Sequence, residues 1–125
     1  MIDFNNLPVF KLSRAKGDDV EAKITPLLIE GENIISAYKA IRDFVVFTDK
    51  RVISVNVQGI TGKKKDFTSM PYSKISVFSI ETSGTFDLDS ELEMYFSGVG
   101  KVKFEFTGSS DIVEIGKIIG TYALK

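Results

Sequence analysis

The sequence contains neither cysteine nor histidine among its 125 residues. Without cysteine the chain has no disulfide, no thiolate nucleophile and no cysteine-based zinc site. Without histidine it lacks the side chain best suited to proton transfer near pH 7, which is also the commonest metal ligand. We therefore expect a protein that is not an enzyme, with no catalytic residue, no bound metal and no cofactor.

An excess of charge of either sign is also missing, because 16 basic residues face 17 acidic ones and the net charge is -1. A general nucleic-acid binder carries a positive excess, since phosphate neutralisation supplies most of its affinity. No apolar run approaches the ~20 residues of a membrane-spanning helix, and the first residues lack the pattern of a secretory signal. These absences predict a cytoplasmic protein with no transmembrane segment and no nucleic-acid partner.

What the chain does have is a hydrophobic fraction of 43%, enough for a single domain of residues 1–125 to bury its own core. Residues 1–31 are predicted to form an N-terminal arm, loosely held over residues 1–12, and a short helix. Four apolar residues mark one face of that helix: Val20, Ile24, Leu27 and Leu28. Pro26 lies late in the segment and should kink or shorten the helix.

From residue 34 the hydrophobic period changes from that of a helix to the two-residue period of a strand. Seven antiparallel strands are predicted within residues 34–107, at residues 34–41, 44–48, 51–57, 67–72, 75–82, 91–96 and 101–106. Pro71 indicates an edge position for the fourth of these strands, because proline cannot donate to a strand ladder.

The last two strands form the clearest hairpin. Their apolar residues alternate with polar ones: Leu92, Met94 and Phe96 before the turn, and Val102, Phe104 and Phe106 after it. Glutamates on one strand and lysines on the other are placed for favourable cross-strand pairing. The sequence therefore predicts a sheet with one apolar and one charged face.

Residues 111–124 return to a helical pattern. Asp111 and Glu114 resemble a capping box, and an apolar stripe follows at Ile112, Ile115, Ile119 and Tyr122. Together the elements predict a mainly β fold with flanking helices. This is a pleckstrin-homology-like, seven-stranded antiparallel barrel or sandwich, capped by the C-terminal helix and preceded by a short N-terminal helix.

From about residue 18 to residue 124 the chain also resembles the bacterial pleckstrin-homology-like family. The matching stretches include Leu27-Leu28-Ile29-Glu30-Gly31-Glu32 and Phe47-Thr48-Asp49-Lys50-Arg51. The most distinctive is Phe78-Ser79-Ile80-Glu81-Thr82-Ser83-Gly84, followed by Phe86-Asp87-Leu88-Asp89-Ser90-Glu91-Leu92. The resemblance implies a pleckstrin-homology-like fold, no known catalytic activity and a tendency to assemble into ring-like homo-oligomers.

The candidate anion-binding residues are five cations: Lys39, Arg42, Lys63, Lys64 and Lys65. Each lysine near an anionic membrane contributes about 1 kcal/mol. The alternative interpretation of residues 63–65 is a solvated hairpin loop.

Phosphoinositide-binding pleckstrin-homology domains carry several spaced cations between their first two strands. Here that loop offers only Arg42 and Lys39 beside Asp43, which makes a poor cradle for several phosphates.

Two further patterns have competing interpretations. Asp87, Asp89 and Glu91 alternate, but they lack the ligand number and spacing of a calcium loop, so an acidic turn is expected rather than a metal site. Gly116 and Gly120 lie four residues apart on the last helix. They would allow close approach either to the chain's own sheet or to a helix of another subunit.

The function that these patterns favour is a non-enzymatic assembly module. We expect homo-oligomers, formed through exposed strand edges and the N-terminal helix, since an open sheet edge must be covered or paired. The alternative is a peripheral binder of an anionic lipid or membrane surface through the five cations. Other proteins remain open as partners.

Overall fold

The computed structural model describes residues 1–5, 9–15, 17–84, 89–108 and 110–125. The elements, in chain order, are β1 (Val9–Arg14), α1 (Gly17–Ile24), β2 (Ile34–Lys39), β3 (Phe44–Thr48), β4 (Arg51–Gln58), β5 (Lys64–Pro71), β6 (Ile75–Glu81), β7 (Ser90–Phe96), β8 (Gly100–Phe106) and α2 (Ile112–Ala123). Short 3-10 turns occupy Thr25–Leu27 and Tyr72–Lys74. In the part of the chain described, no helix is long and apolar enough to cross a bilayer.

The strands form one sheet in the order β5-β4-β3-β2-β1-β8-β7-β6. The two outermost strands, β5 and β6, are consecutive in the chain and are joined only by Tyr72–Lys74. Three residues span at most about 10 Å, so the sheet must curl until its two ends approach each other. The predicted mainly β fold with a C-terminal helix and a short N-terminal helix is thus confirmed.

The described residues form eight strands rather than seven, because β1 lies within the segment expected to be an arm. It pairs antiparallel with β2 at Ser13 and Arg14, and parallel with β8 at Val9 and Leu12. β1 therefore joins the meander β2–β5 to the meander β6–β8. Its partners lie far along the chain, so the local pattern that reveals a hairpin could not reveal this strand.

Residues before β1 also contact the sheet. Ile2 is buried, and its N–H donates to the Thr68 hydroxyl at 2.9 Å. The Phe4 ring meets Phe96 edge-on, with 5.9 Å between ring centroids. This short segment is therefore packed rather than loose.

The inner core lies inside the curled sheet and under α2, as the alternating strands predict. The β7–β8 hairpin is confirmed, with its apolar residues buried on the inner face. Its ion pairs are diagonal: Lys101 contacts Glu93 at 3.4 Å and Lys103 contacts Glu91 at 3.2 Å. Pro71 ends β5, an outermost strand, and this confirms the predicted edge position.

α2 closes the core with its buried isoleucines, Ile112, Ile115, Ile118 and Ile119. Asp111 caps the helix, since its Oδ1 accepts the Glu114 N–H at 3.0 Å. A side chain at Gly116 would touch Ile80 of β6, and one at Gly120 would lie near Phe78. Of the two interpretations of these glycines, the structure supports close packing on the chain's own sheet.

A second core lies on the outer face of β2, β3 and β4, where α1 packs through Val20 and Ile24. β3 is consequently buried on both faces, with Phe44 and Val46 towards α1 and Val45 and Phe47 towards the inner core. α1 ends before Pro26, which lies in the following 3-10 turn. The helix is therefore shorter than the apolar spacing suggests, and its apolar face is covered by its own chain.

Candidate anion-binding cleft

Two neighbouring loops form the rim of the candidate site: residues 40–43 between β2 and β3, and residues 59–63 between β4 and β5. An Arg42 Nη2–H donates to the Gly59 carbonyl oxygen and ties one loop to the other. Asp43, the acid next to Arg42 in the loop, is hydrogen-bonded to the backbone of β4, because its Oδ1 accepts the Val57 N–H at 2.9 Å.

A cleft of about 290 Å³ lies between these loops and the end of α1. We call it the basic cleft; it is lined by Lys23, Lys39, Ile41, Arg42, Phe44, Val57, Gly62 and Lys65. Four of these eight residues are cations and none is acidic. The lining is therefore suited to a ligand with negative charge.

Four different elements supply the cations. Lys39 ends β2, Arg42 lies in the following loop, Lys23 is in the last turn of α1 and Lys65 is in β5. Lys65 is the register partner of Val57 on β4, so the two side chains project to the same face of the sheet. The outward face of the sheet and the docked helix together bring the cations to one place.

Phe44 supports two of the lysines. The Lys23 Nζ lies 4.5 Å from the centroid of the Phe44 ring, and the Lys39 Nζ lies 5.6 Å from it. An aromatic face attracts an ammonium group without neutralising it. Both lysines are thus held beside the cleft with their charge still available to an anion.

The structure brings together three of the five predicted cations, Lys39, Arg42 and Lys65. Lys63 and Lys64 are exposed near the rim and do not line the cleft. Lys64 precedes Lys65 in β5 and therefore projects to the opposite face. Lys23 was not predicted, because its place in the cleft depends on how α1 docks against the sheet.

A larger groove of about 780 Å³ lies elsewhere, beside β2. Its charged lining residues are Arg14, Glu21 and Glu32, which are of mixed sign. Glu32 is also engaged by Arg51. This groove therefore offers no convergent set of charges like that of the basic cleft.

The acidic segment holds no sign of a metal centre in the residues described. Asp87 lies outside the described residues, while Asp89 pairs with Lys11 and Glu91 with Lys103. No cluster of three or more potential ligands occurs anywhere in the described ranges.

Comparison with known proteins places this chain in a family. The model of the bacterial PH (pleckstrin homology) domain matches residues 3–123. The uncharacterized protein YjqA of Bacillus subtilis is 46% identical over 107 residues, covering 84% of this chain and 86% of YjqA.

Solved structures agree. A DUF1696 family protein with a pleckstrin-homology domain from Shewanella loihica is 37% identical, with a TM-score of 0.79 over 90% of this chain and 97% of the other. The pleckstrin homology domain from Shewanella amazonensis is 41% identical, with a TM-score of 0.68 over 90% and 92% of the two chains. The chain is a member of the bacterial PH domain family.

Proposed function

We propose that this protein is a non-enzymatic binding module that docks on anionic membrane surfaces through the basic cleft. The observation that carries the proposal is the convergence of Lys23, Lys39, Arg42 and Lys65 on one cleft, whose lining residues, among those described, include no acid. The absence of histidine and cysteine from the chain and the membership of the bacterial PH domain family support a binding role rather than catalysis.

The expected affinity follows from the charges. Each cation near an anionic lipid surface contributes about 1 kcal/mol, so four together strengthen binding by about a thousandfold. That attraction is screened within about 10 Å at 0.1 M salt. Binding should therefore require anionic lipid and weaken as salt is added.

Vesicle sedimentation tests the proposal. The protein should pellet with vesicles that contain phosphatidylglycerol and stay in solution with pure phosphatidylcholine. A double variant, Lys39→Gln with Lys65→Gln, should lose about thirtyfold in affinity, since two charges of about 1 kcal/mol each are removed.

A matched control separates the cleft from net charge. Lys50 lies in the turn between β3 and β4, and Lys74 lies in the turn before β6. Lys50→Gln with Lys74→Gln removes the same charge outside the cleft and should bind nearly as well as the unmodified chain. An equal loss in both double variants, or no pelleting of the unmodified chain, would contradict the proposal.

Self-association into homo-oligomers is the second candidate. A specific observation favours it: β6 is an outermost strand, and its Val77 lies beside Tyr95 of β7 with 62% and 46% of their surfaces exposed. An unpaired strand edge next to apolar side chains is a template for another chain. Because Val20 and Ile24 of α1 pack against the chain's own sheet, the apolar face of the helix is not available for self-association. The strand edges are therefore the proposed contact.

Light scattering tests this second candidate. At tens of micromolar the chain should have the mass of a homo-oligomer, and Val77→Lys should dissociate it. Val113→Lys, on the exposed side of α2, should leave the mass unchanged. A strictly monomeric unmodified chain would exclude the candidate.

A further inference from the structure

Two isoleucines project from the loops that border the basic cleft. Ile41, in the loop of residues 40–43, has a relative exposure of 95%, and Ile60, in the loop of residues 59–63, has one of 105%. A single exposed apolar residue on a protein surface is ordinary. Two fully exposed isoleucines in adjacent loops are less ordinary, because together they present a larger apolar surface than a single side chain.

A hydrogen bond connects the two loops that carry the isoleucines. Arg42 follows Ile41 and Gly59 precedes Ile60, and these two neighbours are joined by the Arg42–Gly59 hydrogen bond. The two loops that carry these isoleucine tips are therefore tied to each other. Ile41 also lines the basic cleft beside the cations, and Ile60 lies in the loop that is tied to the loop of Ile41.

The shape of this surface identifies the partner. A specific protein interface buries roughly 1,200–2,000 Å² in total and is well packed, whereas two projecting side chains present little area. A lipid bilayer is deformable and accepts projecting apolar side chains at the boundary between headgroups and acyl chains. The surrounding cations Lys39, Arg42 and Lys65 complement a negatively charged headgroup layer.

We propose that Ile41 and Ile60 insert into the headgroup–acyl boundary of an anionic bilayer while the basic cleft holds the headgroups above. This inference rests on the proposed function and adds an apolar component that salt does not screen. It predicts that part of the vesicle binding persists at high salt.

Removal of the tips tests the apolar component. The double variant Ile41→Ser with Ile60→Ser should lose about tenfold in vesicle affinity for each isoleucine removed from contact with lipid, and most of the salt-resistant binding. Both side chains are fully exposed, so the melting temperature should not change. Val113→Ser with Leu124→Ser removes two exposed apolar residues elsewhere and should keep the affinity of the unmodified chain.

A fluorescence reporter tests insertion directly, because the chain contains no tryptophan. Ile60→Trp introduces a single indole at a tip. Its emission should shift to the blue on addition of phosphatidylglycerol vesicles, and brominated lipids should quench it.

Leu124→Trp is the matched control. Leu124 is 72% exposed and follows α2, whose Tyr122 stacks on Tyr72. The Tyr72 hydroxyl donates to the Thr48 carbonyl, at the end of β3 opposite to the loop that carries Ile41. An indole at position 124 should keep the emission of an indole in water.

The outcomes separate this inference from the proposed function. If the unmodified chain pellets with anionic vesicles while the Ile60→Trp variant keeps its aqueous emission, insertion is wrong and headgroup binding by the cleft stands. If the double serine variant binds as tightly as the unmodified chain at every salt concentration, insertion is equally wrong. If the unmodified chain does not pellet at all, both proposals fall.

Discussion

Glu32 and Arg51 form a two-pronged ion pair, with Arg51 Nη2 2.8 Å from Glu32 Oε1 and Arg51 Nε 2.9 Å from Oε2. The Glu32 side chain is fully buried and that of Arg51 is 17% exposed. Arg51 also donates to the Leu27 carbonyl and the Ser69 hydroxyl, and Thr48 donates to Glu32 Oε2 at 2.7 Å. The pair thus fastens the segment after α1 to β3, β4 and β5.

This pair predicts acid sensitivity. Burial raises the pKa of Glu32, but the hydrogen bonds from Arg51, Thr48 and the Ile29 N–H outweigh burial and lower the pKa from 4.5 to about 2. A carboxyl whose pKa is lower in the folded state stabilises the fold above the unfolded value. The contribution, roughly 3 kcal/mol, should be fully present above about pH 5.5 and disappear as the pH falls towards 2.

Thermal unfolding between pH 7 and pH 2 measures this contribution. Glu32→Gln should be less stable at pH 7 and should lose less stability on acidification than the unmodified chain. Glu30→Gln removes an exposed carboxylate two residues earlier and should leave the acid profile nearly unchanged. Parallel acid profiles for the unmodified chain and Glu32→Gln would refute the prediction.

Gly100 allows the N-terminal residues to reach the sheet. A Cβ on Gly100 would lie 2.6 Å from the Phe4 carbonyl oxygen, and the residue has φ +138. Gly100→Ala should therefore displace Phe4 from β8 and cost about 1–3 kcal/mol of stability. Because the Lys101 N–H donates to that carbonyl at 2.8 Å, its hydrogen exchange should accelerate.

Gly98 provides the control for this experiment. It also has a positive φ, of +79, but a Cβ there would meet no atom within 4 Å. Gly98→Ala should strain the turn without displacing Phe4. Unchanged protection of the Lys101 amide in Gly100→Ala would mean that the close contact is not what holds Phe4 in place.

Gly116 and Gly120 should respond differently to alanine. In a helix alanine is more favourable than glycine by about 1 kcal/mol. A Cβ at Gly120 would lie at ordinary distances of 3.8 Å from Leu124 Cδ1 and 4.0 Å from Phe78 Cζ, whereas one at Gly116 would lie 3.0 Å from Ile80 Cδ1. In chemical denaturation Gly120→Ala should stabilise the protein, while Gly116→Ala should gain nothing or lose stability. Equal gains in stability for both variants would show that the Ile80 side chain can shift to accommodate a Cβ at Gly116 without loss of stability.

Arg42 is expected to act by position as well as by charge. Arg42→Lys keeps the positive charge but loses the guanidinium fork that reaches the Gly59 carbonyl. Affinity for anionic vesicles should fall several-fold even though the net charge is unchanged. Arg14→Lys makes the same chemical change at an exposed residue that faces Glu114, and this variant should bind normally. Equal binding by both variants would show that Arg42 contributes only its charge.

Much of the fold could be predicted because its signals are local. The β7–β8 hairpin is encoded by side chains that alternate within two adjacent strands, and Asp111 caps α2 through a residue only three positions away. Pro71 marks an edge because its own backbone lacks a donor. Three of the four cations of the basic cleft, Lys39, Arg42 and Lys65, were named from the sequence, since Lys39 and Arg42 lie close together in the chain and Lys65 belongs to a run of three lysines.

The rest depends on contacts between distant parts of the chain. β1 is a strand because β2 and β8 provide backbone partners on both sides. The residues of Val9–Arg14 carry no local pattern that predicts these partners. Lys23 joins the basic cleft because α1 lies on the outer face of the sheet, where Phe44 is buried beneath it.

The sequence by itself determined the periodicity of the elements, the helix cap, the hairpin and the lack of histidine and cysteine chemistry, since each follows from residues that are close neighbours or from composition. Only the tertiary structure decided which cations converge on the cleft and which isoleucines project from the loops. Those relationships arise when α1 and two loops far apart in the chain are brought onto one face of a curled sheet.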